Sequence, residues 1–324
     1  MLRTEAVDRP GLAATRTRGR LADGAFRLLT FLAGVLILVI LVLIAVTTVN
    51  NAWPAFRAEG FGFITSRVWI PNEGKFGALG YVFGTAVVAT IAVVIAVPIS
   101  VGIALFVTEV APPRLRAVVI AVMDLLAGIP SVVYGLWGFL VLAPYMKGLY
   151  NTISDAVNPI PVLTTVFNGS QIGVSFFTAG LILAVMITPI ITSVTREVFN
   201  TVPGNDKDGA LALGATRWEM IRGVVFPHSI AGMVAATMLG LGRAMGETIA
   251  VALVVGGAPQ ITANLFATGD TMPSVIAFQF GEAVETHRAA LIGLGVTLFA
   301  LTIIVNVSAR TIVQRFEARM RGTA

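Results

Sequence analysis

The chain has 324 residues, 56% of them hydrophobic and only 12% charged, with a formal net charge of +5 and a mean hydropathy of +0.88. A soluble protein of this length needs about twice that charged fraction to cover its surface, so a water-soluble globular fold is excluded and a polytopic membrane protein remains. The absence of cysteine also removes disulfides, thiolate metal sites and cysteine nucleophiles from consideration.

The apolar residues gather into six runs, most of them longer than the ~20 residues that cross a bilayer core. They predict an all-α membrane domain over 26–310, with spans at 26–49, 78–107, 117–143, 172–195, 228–256 and 289–309, between an N-terminal tail, 1–25, and a C-terminal tail, 311–324. The first run is too long for a signal-peptide core and no small-residue cleavage site follows it, so it is read as a retained span. Lysine and arginine crowd into one set of connecting segments. These hold six arginines from Arg3 to Arg27, then Arg114 and Arg116, then Arg196, Lys207, Arg217 and Arg222, and four arginines from Arg310 to Arg321. The alternate segments hold only Arg57, Arg67, Lys75, Lys147 and Arg288. The bias places both termini in the cytoplasm. The arginines of the first tail serve either a solvated tail or the binding of anionic lipid. Trp53, Trp69, Tyr145 and Tyr150 fall near the expected outer interface. Pro98, Pro130 and Pro189 each predict a kink within a span.

The connection between the fourth and fifth spans, about 200–227, is too long for a simple turn and too apolar for a disordered one. Its local chemistry predicts two short helices. Asn205 can cap the first, which starts Asp206-Lys207-Asp208 with carboxylates at the positive end of the helix dipole. Gly214 ends it in the left-handed region. Thr216-Arg217-Trp218-Glu219 has the spacing of a capping box and starts the second helix, which Pro227 closes. Leu211, Leu213, Trp218 and Met220 make this either a docking surface or a surface loop with apolar anchors.

Asp208-Gly209-Ala210, Gly214, Val224, Phe226 and Pro227 have the spacing of the EAA loop of ATP-binding-cassette import permeases. GALALGATRWEMIRGVVFP resembles that loop closely, departing from its pattern at Asp208 for Glu, Gly209 for Ala and Phe226 for Leu. The resemblance implies that the loop is a coupling helix docking on an ATPase subunit, with motion entering the chain through residues 206–220. Gly209 costs such a helix roughly 0.5–1 kcal/mol against alanine.

The fifth run carries the segment GLGRAMGETIA, residues 240–250. On a helix, at about 100° per residue, Arg243 and Glu247 share a face with Gly232, Ala236, Gly240, Gly246 and Ala250. Such a face means close helix packing or room for solvent and a ligand. An arginine near the bilayer centre costs roughly 2.5–3.5 kcal/mol on the lenient insertion scale. Arg243 lies about 24 Å along the helix from Pro227, too deep to reach water easily. A purely structural buried pair would often be bettered by apolar residues. The pair is therefore read as a transport-pathway site, with the planar guanidinium fork matched to a tetrahedral oxyanion and Glu247 satisfying it in the anion's absence.

RAMGE resembles the R-A-L-G-E segment shared by phosphate, sulfate and molybdate permeases. DLLAGIPSVVYGLWG (124–138), FGALGYVFGT (76–85) leading to AVPISVGIALFVTE, and MPSVIAFQFGEAV extend the likeness to PstC-type phosphate permeases, from about residue 70 to the C-terminus. That resemblance implies a type I ABC importer permease fold with six transmembrane helices in a prokaryotic plasma (inner) membrane. It implies a pathway for inorganic phosphate formed with a homologous PstA-type subunit, above a PstB-type ATPase dimer that binds ATP and Mg. A PstS-type phosphate-binding protein would dock outside. Sulfate or molybdate is the alternative substrate, and a secondary anion transporter the alternative mechanism, although the latter usually shows internal repeats and has no use for an EAA loop.

No catalytic role is expected. No nucleophile–base pair accompanies Asp124 or Ser131, and His228 and His287 make no metal cluster. No phosphate-binding Gly-x-x-x-x-Gly-Lys-Ser/Thr loop occurs, so the chain is expected to hold no cofactor of its own. Membrane lipid is the remaining partner, and nothing points to nucleic acid.

Overall fold

In the computed structural model of the chain, residues 12–169 and 172–321 are described, with side chains for 23–160, 162–169 and 172–311. Arg3 and Arg9 of the expected first tail lie outside the described residues. The elements run α1 (Leu12–Glu59), α2 (Gly62–Thr65), a hairpin of β1 (Trp69–Ile70) and β2 (Lys75–Phe76), α3 (Leu79–Leu105), α4 (Pro113–Gly128), α5 (Ser131–Trp137), α6 (Ala143–Val157) and α7 (Pro161–Val166). Then come α8 (Phe176–Asn200), α9 (Gly204–Ala212), α10 (Arg217–Met220), α11 (Phe226–Met245), α12 (Ile249–Val254), α13 (Met272–Gln279) and α14 (Glu285–Arg321). In the antiparallel hairpin Trp69 lies opposite Phe76 and Ile70 opposite Lys75.

Among the described residues, six candidate spans meet the length and apolarity a bilayer requires: Asp23–Glu59, Leu79–Val110, Ser131–Val157, Phe176–Asn200, Arg217–Met245 and Glu285–Thr311. The chain divides into two compact units, residues 1–51 and 52–324. The first is the apolar bulk of α1, whose described side chains are almost all exposed, as a span facing lipid requires. The tail expected over 1–25 is helical from Leu12 onward.

The second unit is built on α3 and α8. Ile91 of α3 packs where a Cβ on Gly180 of α8 would stand, and Ser100 Oγ donates to the Thr188 carbonyl at 3.1 Å. Pro98 and Pro189 sit within α3 and α8, which run on through them. On another side of α8, Val198 and Ile191 press against Gly232 and Gly240 of α11, leaving a Cβ no room. Lipid is as apolar as leucine, so this close approach of backbones, rather than hydrophobic transfer, holds the helices together.

The first span runs on past 49 to Glu59, and the third and fifth differ from the sequence reading at both ends, these two each for a local reason. The third span is not 117–143. Pro130 drives Ile129 into the extended region (φ −70°, ψ 129°), so α4 stops at Gly128 and the span starts at Ser131. It then continues to Val157 through a stretch whose Lys147, Asn151 and Asp155 disguised it. The fifth span is not 228–256. Helix runs from Arg217 to Met245, because a π-helical turn, Ile221–Val225, precedes Pro227 and absorbs the break in the hydrogen-bond ladder. Pro227 therefore lies inside the span and closes nothing.

Tyr150 is another correction. It is fully buried rather than interfacial, stacked on Phe266 at 3.9 Å, with its hydroxyl 2.6 Å from Thr178 Oγ1 and 3.0 Å from Ser175 Oγ. Ser175 in turn caps α8 by accepting from Thr178 N. A buried tyrosine needs such a partner for its hydroxyl, and the cap residue supplies one. Trp69 is likewise packed edge-on against Phe76 and Tyr81.

Candidate functional site

The helical loop at 200–227 forms as its turn residues dictate, apart from its first cap. The cap position of α9 is Pro203, which makes no side-chain hydrogen bond, and Asn205 lies inside the helix. The ring of Pro203 fixes φ for the turn into α9, so the helix starts before Asn205 can act. At the other end Gly214 adopts φ +89°, and Ala215 N donates to Ala210 O while Gly214 N donates to Leu211 O, the paired bonds of a Schellman motif. Thr216 and Glu219 close the capping box from both sides: Thr216 N donates to Glu219 Oε2 at 2.7 Å and Glu219 N to Thr216 Oγ1 at 3.3 Å.

The loop presents Leu211, Leu213 and Trp218 to solvent, with Leu213 91% exposed. Asp208, Gly209, Gly214 and Pro227 are also exposed and Ala210 is half-buried. Met220 is not part of this surface. It is buried with Ala104, Phe199, Val202, Ile221 and Val225 in a small core under the loop. Lys207 reaches back from α9 to Glu109, on the π-helical turn Phe106–Val110 that ends α3, at 2.6 Å. The sequence reading passed over Glu109, although a lone carboxylate at the end of a long apolar run is the same signal that singled out Arg243.

α10, the π-helical turn and α11 form one helix that starts at the capping box and ends at the charged pair. Arg243 lies in its last turn, roughly 39 Å from Arg217 at 1.5 Å per residue. Gly246 terminates the helix (φ −90°, ψ −2°). Glu247 and Thr248 are therefore outside regular helix, and α12 resumes at Ile249. The wheel drawn through both charges is broken at this point. Glu247 sits at the N-terminus of α12, where its Oε1 faces Ala250 N at 3.4 Å. The positive end of a helix is a favourable place for a carboxylate. α12 is pressed onto α5 through Gly135, whose absent side chain leaves room for the backbone of Ala250.

The two charges differ in burial. Glu247 is 7% exposed and Arg243 50%, and Arg243 Nη2 lies 4.0 Å from Glu247 Oε2, beyond hydrogen-bonding distance. The guanidinium is thus near a fixed carboxylate yet keeps its donors available. The small residues resolve differently from the charges. Gly232, Ala236 and Gly240 line the packing of α11 on α8 and are no ligand space.

One further buried carboxylate escaped the sequence reading. Asp270, 6% exposed, belongs to the segment leading into α13, and its carbonyl lies against Gly84 of α3. Burial pushes its carboxyl up to about 6, against the opposing effect of the Ser274 hydroxyl and the Thr271 N–H. Nothing in the run ATGDTM, taken alone, separates this aspartate from an exposed turn residue.

Residues 97–322 match the family described as binding-protein-dependent transport system inner membrane component. The phosphate transport system permease protein PstC of Mesorhizobium japonicum is 42% identical over 308 residues, covering 94% of each chain. The PstC of Haemophilus influenzae is 39% identical, covering 91% of this chain and 94% of the relative. PstC 2 of Mycobacterium tuberculosis is 40% identical, covering 95% and 97%. Two solved structures share the fold at 17% identity. They are a bacterial alginate ABC transporter in complex with alginate pentasaccharide-bound periplasmic protein (TM-score 0.55, covering 92% of this chain and 98% of that one) and the inward-facing MetNI methionine ABC transporter (TM-score 0.53, covering 72% and 94%). The expected type I ABC permease fold is thereby met. The chain belongs to the binding-protein-dependent transport system inner membrane component family and, within it, to the PstC-type permeases.

Proposed function

We propose that the chain is the transmembrane permease subunit of an ATP-driven phosphate importer and forms the phosphate pathway with a homologous permease subunit. The observation that carries this reading is the half-exposed Arg243 fork, held 4.0 Å from a buried carboxylate at the end of the helix that begins in the EAA-like loop. A planar, permanently charged fork suits a tetrahedral oxyanion. Phosphate, rather than sulfate or molybdate, is supported by what the relatives are called.

In this reading Arg243 donates to the passing anion. Glu247 takes the fork back when the anion leaves, which makes a relay and not a trap. Asp208, Gly209, Ala210 and Gly214 shape the loop that docks on the ATPase, with Leu211, Leu213 and Trp218 as its apolar contacts, and Pro227 lies in the helix that leads from the loop to Arg243. ATP and Mg belong to that ATPase dimer, and this chain contributes no catalytic group. Both termini and the loop face the cytoplasm, as the distribution of lysine and arginine supports. A phosphate-binding protein docks on the opposite face.

The test is uptake by the complete complex reconstituted with its binding protein, with phosphate competed against sulfate and molybdate. ATP-dependent uptake blocked by phosphate alone supports the reading. Equal competition by sulfate would make it a general oxyanion permease, and uptake without ATPase subunits would make it a secondary transporter.

A further inference from the structure

Lys207 and Glu109 are 98 residues apart, yet Nζ and Oε1 are separated by only 2.6 Å, with the side chains 19% and 10% exposed. The other two short ion pairs among the described residues, Lys75–Glu73 and Arg196–Glu197, join neighbours in sequence and fasten no two elements together. The turn that carries Glu109 is itself secured, because Arg116 Nη2 donates to the Thr108 carbonyl at 3.1 Å. A π-helical turn at such a place often marks function.

α9 is tied to the bundle along the chain at both ends, through residues 201–203 to α8 and through Gly214 and α10 to α11, which ends at Arg243. Ala210 also packs on the small core that includes Ala104 of α3 and Phe199 of α8. To these apolar contacts the ion pair adds one polar tie, which leads into α3. α3 carries it the length of the bundle, locked to α8 at Gly180 and at Ser100. At its far end Thr85 Oγ1 accepts from Met272 N at 3.0 Å, beside the contact between Gly84 and the Asp270 carbonyl. These contacts make α9 continuous both with Arg243 and with the segment at the opposite end of the bundle.

We propose that the Lys207–Glu109 pair is the mechanical link by which movement of the helical loop reaches α3, so that it sets how much transport each hydrolysed ATP produces. Both residues are positioning residues and touch no substrate. The proposal rests on the importer reading given above.

The experiment compares the unaltered complex, Glu109→Gln, and the exchange Lys207→Glu with Glu109→Lys, each co-purified with its ATPase and reconstituted with the binding protein. The readout is phosphate taken up per ATP hydrolysed. Glu109→Gln is expected to lower that ratio at least tenfold while the complex still assembles and hydrolyses ATP. The exchange is expected to restore at least half of it, which a residue needed only for packing would not do. An unchanged ratio in Glu109→Gln overturns the link. So does an exchanged protein that is uncoupled or fails to accumulate, because a link that requires only opposite charges tolerates the exchange. Failure of the unaltered complex to take up phosphate would count against the importer reading instead, and the ratio would then be read with whichever oxyanion it does carry.

Discussion

Lys207–Glu109 and Arg243–Glu247 are both cation–carboxylate pairs at the ends of apolar helices, and they are built in opposite ways. The first joins two elements at 2.6 Å with both side chains largely buried. The second lies within one segment at 4.0 Å, its carboxylate buried and its cation half-exposed. A pair of the first kind fixes geometry, since removing one partner strands a desolvated charge at a cost of about 3–5 kcal/mol. A pair of the second kind, at 4.0 Å and open on the cation side, makes no hydrogen bond between its partners and fixes little geometry. It leaves the donors of the cation open. Burial and distance thus separate a fastened pair from an open one where charge and residue type do not.

The largest effect that sharpens this contrast is expected at Arg243. Arg243→Ala should lower phosphate uptake more than 100-fold per molecule in the membrane, beyond any loss of abundance caused by leaving the buried Glu247 carboxylate without its cation. Arg243→Lys should keep only a few per cent, since a point charge cannot reproduce the fork. Uptake assays with membrane abundance measured in parallel check both.

Asp270 extends the comparison to a buried carboxylate with no cation within ion-pair distance among the described residues. Its pKa of about 6 in the folded protein lies above the ordinary carboxylate value of 3.8. The folded state therefore holds the proton more tightly than the unfolded one. The associated stability is fully present below pH ~4 and is lost as pH rises through about 6, amounting to ~3 kcal/mol. Asp270→Asn should flatten that slope in thermal unfolding followed from pH 4.5 to 7.5.

In the loop, where geometry is set by caps and not by charge, smaller effects are expected. Gly214→Val places a β-branched residue at φ +89°. It should cost the loop about 1–2 kcal/mol and lower uptake several-fold, with insertion into the membrane retained. Gly209→Ala should act in the other direction. A Cβ there meets nothing within 4 Å, so the helix gains roughly 0.5–1 kcal/mol, seen as a small rise in melting temperature with uptake unchanged.

What was legible in the sequence follows from how local its cause is. Gly214 and the Thr216–Glu219 box were readable because a turn of chain carries its own instructions. The six spans were readable because apolar length is a property of each run. The ends of the third and fifth spans were not, because the break at Pro130 and the passage through Pro227 depend on how a helix accommodates proline. Arg243 and Glu247 were found as a pair by type, yet placed on one continuous helix that Gly246 interrupts. Glu109 and Asp270 were missed because the partner of the first, Lys207, and the burial of the second against α3 come from segments distant in sequence.

A pathway site at Arg243 and Glu247 and a pair that merely fills space differ in what removal of both charges does. The most direct test is the double replacement Arg243→Met with Glu247→Leu, which removes both charges while conserving apolar volume, assayed for membrane abundance and for phosphate uptake by the complete complex. A pathway site predicts protein at normal abundance with uptake at background. Abundant protein with normal uptake would contradict it and make the pair a packing element after all.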